Sequence, residues 1–223
     1  PLNFSIKFKT LEPQIFFDNK KIELEYITTI INLKTFINGQ LSIDDLQIST
    51  KDIKLNDVVS LARYVKNSPQ LFILDKIIKD GFLVGNIKLN FDNNGKVKDD
   101  YEIEGFVKNG KLGLFRKYEI ENLNFLFKIK KDKYNFENID TNFNEVKFSS
   151  PLINIKNENN LIKINGKITN DENDNNFDLL NNLFGESLKN LKIDNINFKS
   201  ENDFSFDVNK KFKIDNFNLK SII

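Results

Sequence analysis

Short runs in which apolar and polar residues alternate fill most of the chain. Within 122–139, NLNFLFKIKKDKYNFENI, Leu123, Phe125, Phe127 and Ile129 alternate with Asn124, Leu126, Lys128 and Lys130, and a charged break leads to Tyr134 and Phe136. A period of two puts one set on each side of an extended strand, leaving one greasy face and one mostly wet face. The pattern recurs at Leu2, Phe4, Ile6 and Phe8, at Ile22, Leu24 and Tyr26, and at Leu41 and Ile43. After an offset at Asp44-Asp45 it resumes with Leu46 and Ile48, then Ile53 and Leu55. Ile87, Leu89 and Phe91 follow, then Tyr101, Ile103 and Val107, then Leu112 and Leu114. Later runs carry Phe143, Val146 and Phe148, then Ile153 and Ile155, then Ile162, Ile164 and Ile168. Ile193, Ile196 and Phe198, then Phe204, Phe206 and Val208, and finally Phe212, Ile214, Phe217 and Leu219 complete the set. The pattern predicts about a dozen strands of ordinary length joined by short polar turns, as in an antiparallel meander.

Turn chemistry supports that spacing. DNNGK (92–96) reads as a hairpin turn in which Gly95 takes a positive φ, KNGK (108–111) as a second turn, and KNENN (156–160) as a third. Two regions break the period. In 56–81, Val58, Leu61, Ala62 and Val65 form a helical stripe with Asn56 or Asp57 as N-cap. Ser68-Pro69 then reads as cap and first residue of a second helix, with Leu71, Leu74 and Ile78 as its stripe and Gly81 just past its end. In 175–190, Phe177, Leu180, Phe184 and Leu188 align at helical spacing. The expected architecture is mainly β: one continuous segment over 1–223, with helical insertions at about 56–80 and 176–190. Strand, turn, strand, turn, strand recurs loosely after each insertion, as though one meander unit were used twice.

Composition narrows the chemistry. The chain has 22 Phe but no Trp, and 39% hydrophobic residues in short bursts, too much apolar material for disorder. No run reaches the roughly 18–20 apolar residues of a membrane helix, and no signal-peptide pattern is present. Met is absent, including at position 1, so the sequence reads as an excerpt of a longer chain. The 33 basic and 32 acidic residues nearly cancel, which argues against nucleic acid as a partner. The 35 Asn and the single Ala, Ala62, look like a coding bias. With no Cys and no His, the chain lacks disulfides, thiolate chemistry and the commonest general base and metal ligand.

The remaining candidates for catalysis fail one by one. Asp44-Asp45 and Asp99-Asp100 are adjacent in sequence, so on a strand they point to opposite faces. An EF-hand loop counted from Asp171 needs Gly at its sixth place and Glu at its twelfth, where Asn176 and Asn182 stand. Gly81 and Gly85 lead into a strand, whereas phosphate loops feed a helix. The sequence predicts no enzyme, no metal and no cofactor.

What remains is apolar area. About a dozen strands with three inward residues each make more greasy face than two or three short helices cover. Either the sheet closes on itself, or part of the face stays open for an apolar partner. Three stretches bear on that choice: 39–65 (GQLSIDDLQISTKDIKLNDVVSLARYV), 81–112 (GFLVGNIKLNFDNNGKVKDDYEIEGFVKNGKL) and 191–221. Their cadence of apolar, Gly and Asn positions resembles the AsmA-like family of bacterial envelope proteins, which includes TamB-type and YhdP-type members. The resemblance implies a long, twisted antiparallel sheet curled into an elongated hydrophobic groove. It also implies a periplasmic protein with an inner-membrane anchor outside this segment, conducting phospholipid toward the outer membrane. The expected partners are phospholipid, neighbouring segments of the same chain, and the two membranes at the ends of the full protein. The residues expected to line the groove are Phe4, Ile6, Phe8, Ile22, Leu24, Ile87, Leu89, Phe91, Phe125, Phe127, Phe204 and Phe206. The alternative is a self-covered structural or adhesive β domain without lipid.

Overall fold

A computed structural model describes residues 5–32, 43–65, 68–92, 94–114, 118–144, 146–158, 161–170, 175–176, 195–196, 199–211 and 213–222. The chain begins with β1 (Ser5–Leu11), β2 (Gln14–Phe17), β3 (Lys20–Asn32), β4 (Ile43–Thr50) and β5 (Ile53–Lys54). Two helices follow, α1 (Leu55–Val65) and α2 (Pro69–Ile77). Then come β6 (Ile78–Asn90), β7 (Glu102–Leu114), β8 (Tyr118–Lys130), β9 (Lys133–Phe143), β10 (Val146–Glu158) and β11 (Leu161–Asn170). Two-residue strands β12 (Asn175–Asn176) and β13 (Asn195–Ile196) pair with each other, and β14 (Ser200–Asn209) and β15 (Ile214–Ile222) close the order.

The main sheet is one 13-stranded antiparallel meander, ordered β1-β3-β4-β6-β7-β8-β9-β10-β11-β14-β15, with β2 beside β3 and β5 beside β6. It is mainly β and does not close into a barrel. The strands reach 13 residues in β3, β6, β7, β8 and β10.

The turn at 92–96 forms as expected. Gly95 sits at φ 75°, and Asp92 Oδ1 accepts from the Asn94 and Lys96 amides at 2.9 Å each. KNGK behaves differently: 108–111 lies inside β7, where Asn109 takes φ 52° and the pairing to β8 shifts register between Val107 and Gly110. It is a bulge, because both flanking segments keep pairing with β8. Similar shifts occur beside Gly81 (φ 123°) in β6, Asn122 (φ 51°) in β8 and Asn138 (φ 51°) in β9, and between Ser149 and Ile153 in β10. These irregularities lie on five adjacent strands and form a crease across the sheet. Asn tolerates the left-handed region because its amide bonds nearby backbone. The side chain of Asn124 stitches the crease, accepting from the Asn109 amide at 2.9 Å and donating to the Asn122 carbonyl at 2.6 Å. Each bulge flips parity, so Ile120, Leu123 and Phe125 share a face despite their spacing.

Ser68 caps α2 by accepting from the Leu71 amide, and Pro69 opens the helix, as its sequence predicts. Three details differ. α1 begins at Leu55, ahead of the expected caps. Ile78 and Gly81 belong to β6, and Gly81 marks the bulge instead of ending a helix. The expected α2 stripe divides: Leu71 is half-buried and Leu74 exposed, no residue of Pro69–Ile77 is buried, and Ile78 is buried as part of β6. The helix expected at 176–190 lies outside the described residues apart from Asn176, which pairs in β12.

α1 lies on the apolar face and divides its own stripe between two clusters. Leu55 and Val59 pack with Ile78, Val107 and Phe127, while Val58 and Leu61 pack against Phe17, Ile22, Leu24 and Ile53. Lys20 Nζ fixes the helix to β3, donating to Ser60 Oγ at 2.9 Å and pairing with Asp57 at 2.9 Å. Each fully covered aliphatic side chain here contributes roughly 1.5–3 kcal/mol.

Close backbone approach constrains β7. A Cβ on Gly105 would lie 2.1 Å from the Val84 carbonyl oxygen and 2.9 Å from Phe127 Cζ. Gly105→Ala is therefore expected to destabilise the fold by about 2–3 kcal/mol, measured by urea unfolding against wild type.

Candidate functional site

Directly opposed residues of an antiparallel pair share a face, so pairing register alone sorts the side chains. One row runs Ile27–Ile48–Ile87–Ile103 across β3, β4, β6 and β7. It continues Ile129–Tyr134–Ile155–Ile164–Phe206 across β8, β9, β10, β11 and β14. A parallel row runs Gly85–Gly105–Phe127–Phe136–Ile153–Gly166–Phe204–Leu219. At about 4.8 Å between strands, the first row extends about 38 Å.

Glycine opposite phenylalanine recurs in the second row. The Phe127 ring lies over Gly105 and near Gly85, and the Phe204 ring lies over Gly166, where a Cβ would be 3.0 Å from Phe204 Cζ. A missing Cβ lets the ring lie down on the sheet, giving a low, flat floor of aromatic carbon. Rings then meet one another: Phe125 and Phe136 edge to face at 5.6 Å, Phe204 and Phe206 at 6.1 Å, and Phe206 and Phe217 at 6.3 Å.

The expected lining residues divide by cover. Ile22 and Leu24, each 2% exposed, lie beneath α1 and are closed to any ligand, and Phe127 is 8% exposed in the other helix-covered cluster. Ile87, Leu89, Phe91, Phe125, Phe204 and Phe206 are half-buried, with Phe91 bridging to Val97. Ile6 and Phe8 face the same way as Ile31 and Thr29 and are open, Phe8 at 50%. Phe4 lies outside the described residues. The sequence pattern missed Phe217 and Leu219 as lining, although both belong to its last alternating run; Phe217 is 63% exposed.

Past the crease the apolar face dips into a cavity of about 300 Å³ lined by Ile120, Ile139, Phe143, Phe148, Ile153 and Ile168. Tyr118 stacks on Phe143 at 5.6 Å beside it. Of the nearby hydroxyls, Thr141 donates to the Glu121 carbonyl and Ser149 and Thr169 bond each other at 2.7 Å, whereas the buried Ser150 Oγ has no partner among the described residues.

The outer face carries an apolar row, Val84–Phe106–Leu126, with Phe106 and Leu126 exposed, beside charges that are largely paired. Lys128 bridges Glu102 at 2.5 Å and Glu104 at 3.2 Å, and Lys111 bridges Glu121 at 2.6 Å and Glu119 at 3.2 Å. Hydrogen bonds from Lys128 and then Lys130 hold the Glu102 carboxyl below the usual carboxylate range, and the same acids hold Lys128 above its ordinary value. Asp99 is taken by Lys131 at 2.8 Å. Among the described residues no three acidic side chains gather as a metal site would need.

No protein-family model, no curated protein and no solved structure matches the chain.

Cover decides what a truncation costs. Phe127→Ala is expected to lose about 3–4 kcal/mol of unfolding free energy, whereas Phe217→Ala should lose less than about 1 kcal/mol. Parallel chemical denaturation of the two variants checks the contrast.

Proposed function

We propose that the chain is a segment of a periplasmic lipid-transfer protein of the AsmA-like kind, whose apolar groove binds or conducts phospholipid acyl chains between inner and outer membrane. The observation that carries this reading is the registered apolar row from Ile27 to Phe206, which α1 covers only at the β2–β3 and β6–β8 end of the strands. Among the described residues nothing lies over β14 and β15 on that face, and all of β15 is exposed. Apolar surface left wet is unfavourable by about 25 cal/mol per Å², so an apolar ligand has a large driving force to lie there.

The dimensions suit tails. One leaflet supplies about 15 Å of hydrocarbon, half of the roughly 30 Å core, and the row is more than twice that length. Groove and ligand then meet without polar groups to satisfy, since Phe and Ile offer area and no hydrogen bonds. The reading is a binding and conducting role without catalysis. Its partners are phospholipid, neighbouring segments of the same chain, and the two membranes at the ends of the full protein.

A self-covered structural or adhesive domain is the second reading. It is favoured at one place, where α1 shuts Ile22 and Leu24 away. Extended to the whole sheet it needs a second layer, and the described strands of the main sheet form a single one.

Leu89 stands opposite Leu46 on the apolar face and makes the test. Organic extraction and mass spectrometry of the purified chain should recover lipid in stoichiometric amount. Leu89→Asp should reduce that recovery at least about ten-fold while circular dichroism keeps the β signal, because a carboxylate in the trough costs several kcal/mol to desolvate. Lipid-free wild type, or full recovery from the folded variant, would overturn the reading.

A further inference from the structure

Four lysines stand directly opposite one another across four adjacent strands. Lys130 of β8 pairs in register with Lys133 of β9, Lys133 with Lys156 of β10, and Lys156 with Lys163 of β11. The row spans about 14 Å. Like charges directly opposite in a sheet are destabilising, so the pairing opposes the electrostatics at three successive steps.

The acids nearby relieve this only in part. Glu158 serves Lys156 at 3.2 Å and Lys163 at 3.0 Å together, and Asp207 stands opposite Lys163 in register. Glu102 is shared between Lys128 and Lys130. Lys133 pairs with no carboxylate among the described residues, and it is exposed. The next row inward is neutral, Asn135–Asn154–Asn165, with Asn154 Nδ2 donating to Asn165 Oδ1 at 3.1 Å. A chain of net charge +1 thus carries a strip of four lysines, flanked in register by Glu102 and Asp207.

Its place matters. Each lysine adjoins in sequence a member of the apolar row, Ile129, Tyr134, Ile155 or Ile164, which points to the opposite face. β8 ends at Lys130 and β9 begins at Lys133, so the strip lies at the hairpin ends, on the rim of the sheet. Long lysine stems can turn their ammonium groups around such a rim while the stems stay on carbon. Ammonium is a compact point charge suited to phosphate oxygens.

We infer that this rim holds the phosphodiester headgroup of an anionic glycerophospholipid whose tails lie on the apolar face. The inference rests on the acyl-chain reading above and adds headgroup selection to it.

The test loads the full chain from vesicles containing phosphatidylcholine and phosphatidylglycerol in equal amounts at low salt, then identifies the recovered lipid by mass spectrometry. Wild type should enrich phosphatidylglycerol by about five-fold for each lysine engaged. Lys133→Gln with Lys156→Gln should remove most of that enrichment, leave total lipid unchanged, and melt no lower than wild type because like-charge repulsion has been relieved. Equal recovery of both lipids by wild type overturns the headgroup site and leaves the acyl-chain reading standing. Enrichment that survives in the double variant also overturns it, as does a fall of several degrees in the variant's melting temperature. Recovery of neither lipid overturns the acyl-chain reading itself. Inorganic phosphate is added as a separate arm: loss of the enrichment at millimolar phosphate under constant ionic strength would assign the rim to free phosphate instead of lipid.

Discussion

Everything in this molecule depends on cross-strand register. In an antiparallel sheet a slip of one residue turns a whole strand over, moving its apolar set to the other face. Eleven strands in succession therefore have to agree, and a single disagreement would cut the apolar rows in two. Agreement is kept by side-chain pairs such as Ile48–Ile87 and Ile103–Ile129, where β-branched neighbours pack closely on one pleated surface. The bulges beside Gly81, Asn109, Asn122 and Asn138 serve the same end: a lone bulge would throw its strand out of phase, whereas bulges on successive strands shift phase together.

A single layer then leaves an imbalance. Strand pairing satisfies the backbone, and flat Phe127 and Phe204 rings shield their neighbours, but among the described residues one face of the sheet lacks a second wall. α1 supplies a wall over one end only, with Arg63 and Asp75 pairing to join α1 and α2. Burial accordingly falls from the helix-covered Ile22 and Leu24 to the two edges of the sheet, where β1 and β15 are wholly exposed. Stability is concentrated at the covered end, and the open end is where surface remains for something else to occupy.

Much of this can be read along the chain, because alternation is a local signal. The runs at Ile87–Phe91, Phe125–Ile129 and Phe204–Val208 name their strands and their shared face without any knowledge of partners. Ser68-Pro69 names a helix start for an equally local reason, the cap hydrogen bond. What cannot be read locally is anything that depends on the neighbour. KNGK has the composition of a turn, and only the continued pairing of β7 with β8 makes it a bulge. Asparagine abundance looks like coding bias until Asn109, Asn122 and Asn138 are found at left-handed positions on adjacent strands. Ile22 and Leu24 read as lining because their alternation matches that of Leu89, and only the position of α1 separates them.

The lysines are the clearest instance of that limit. Along the sequence each adjoins a member of the apolar row, as a solvated face requires, and the overall charge is near zero. Stacked at strand spacing they become a row of like charges, while the asparagines beside them become a neutral row in which Asn154 donates to Asn165. Natural sequences usually avoid such conflicts, and residues that break a local rule without an internal remedy tend to mark places where function sets the choice. Glutamate was available as a remedy, since Lys128 has two carboxylates on the same face, at Glu102 and Glu104. Lys133 has none among the described residues, and an acid there would have neutralised the strip at the step where the sheet changes from charge-paired strands to lysine-rich ones. The unrelieved repulsion and the uncovered apolar row belong to the same stretch of the same strands, on opposite faces. That coincidence fits an amphiphile with carbon on one side of the rim and negative charge on the other better than it fits either a purely apolar or a purely ionic partner.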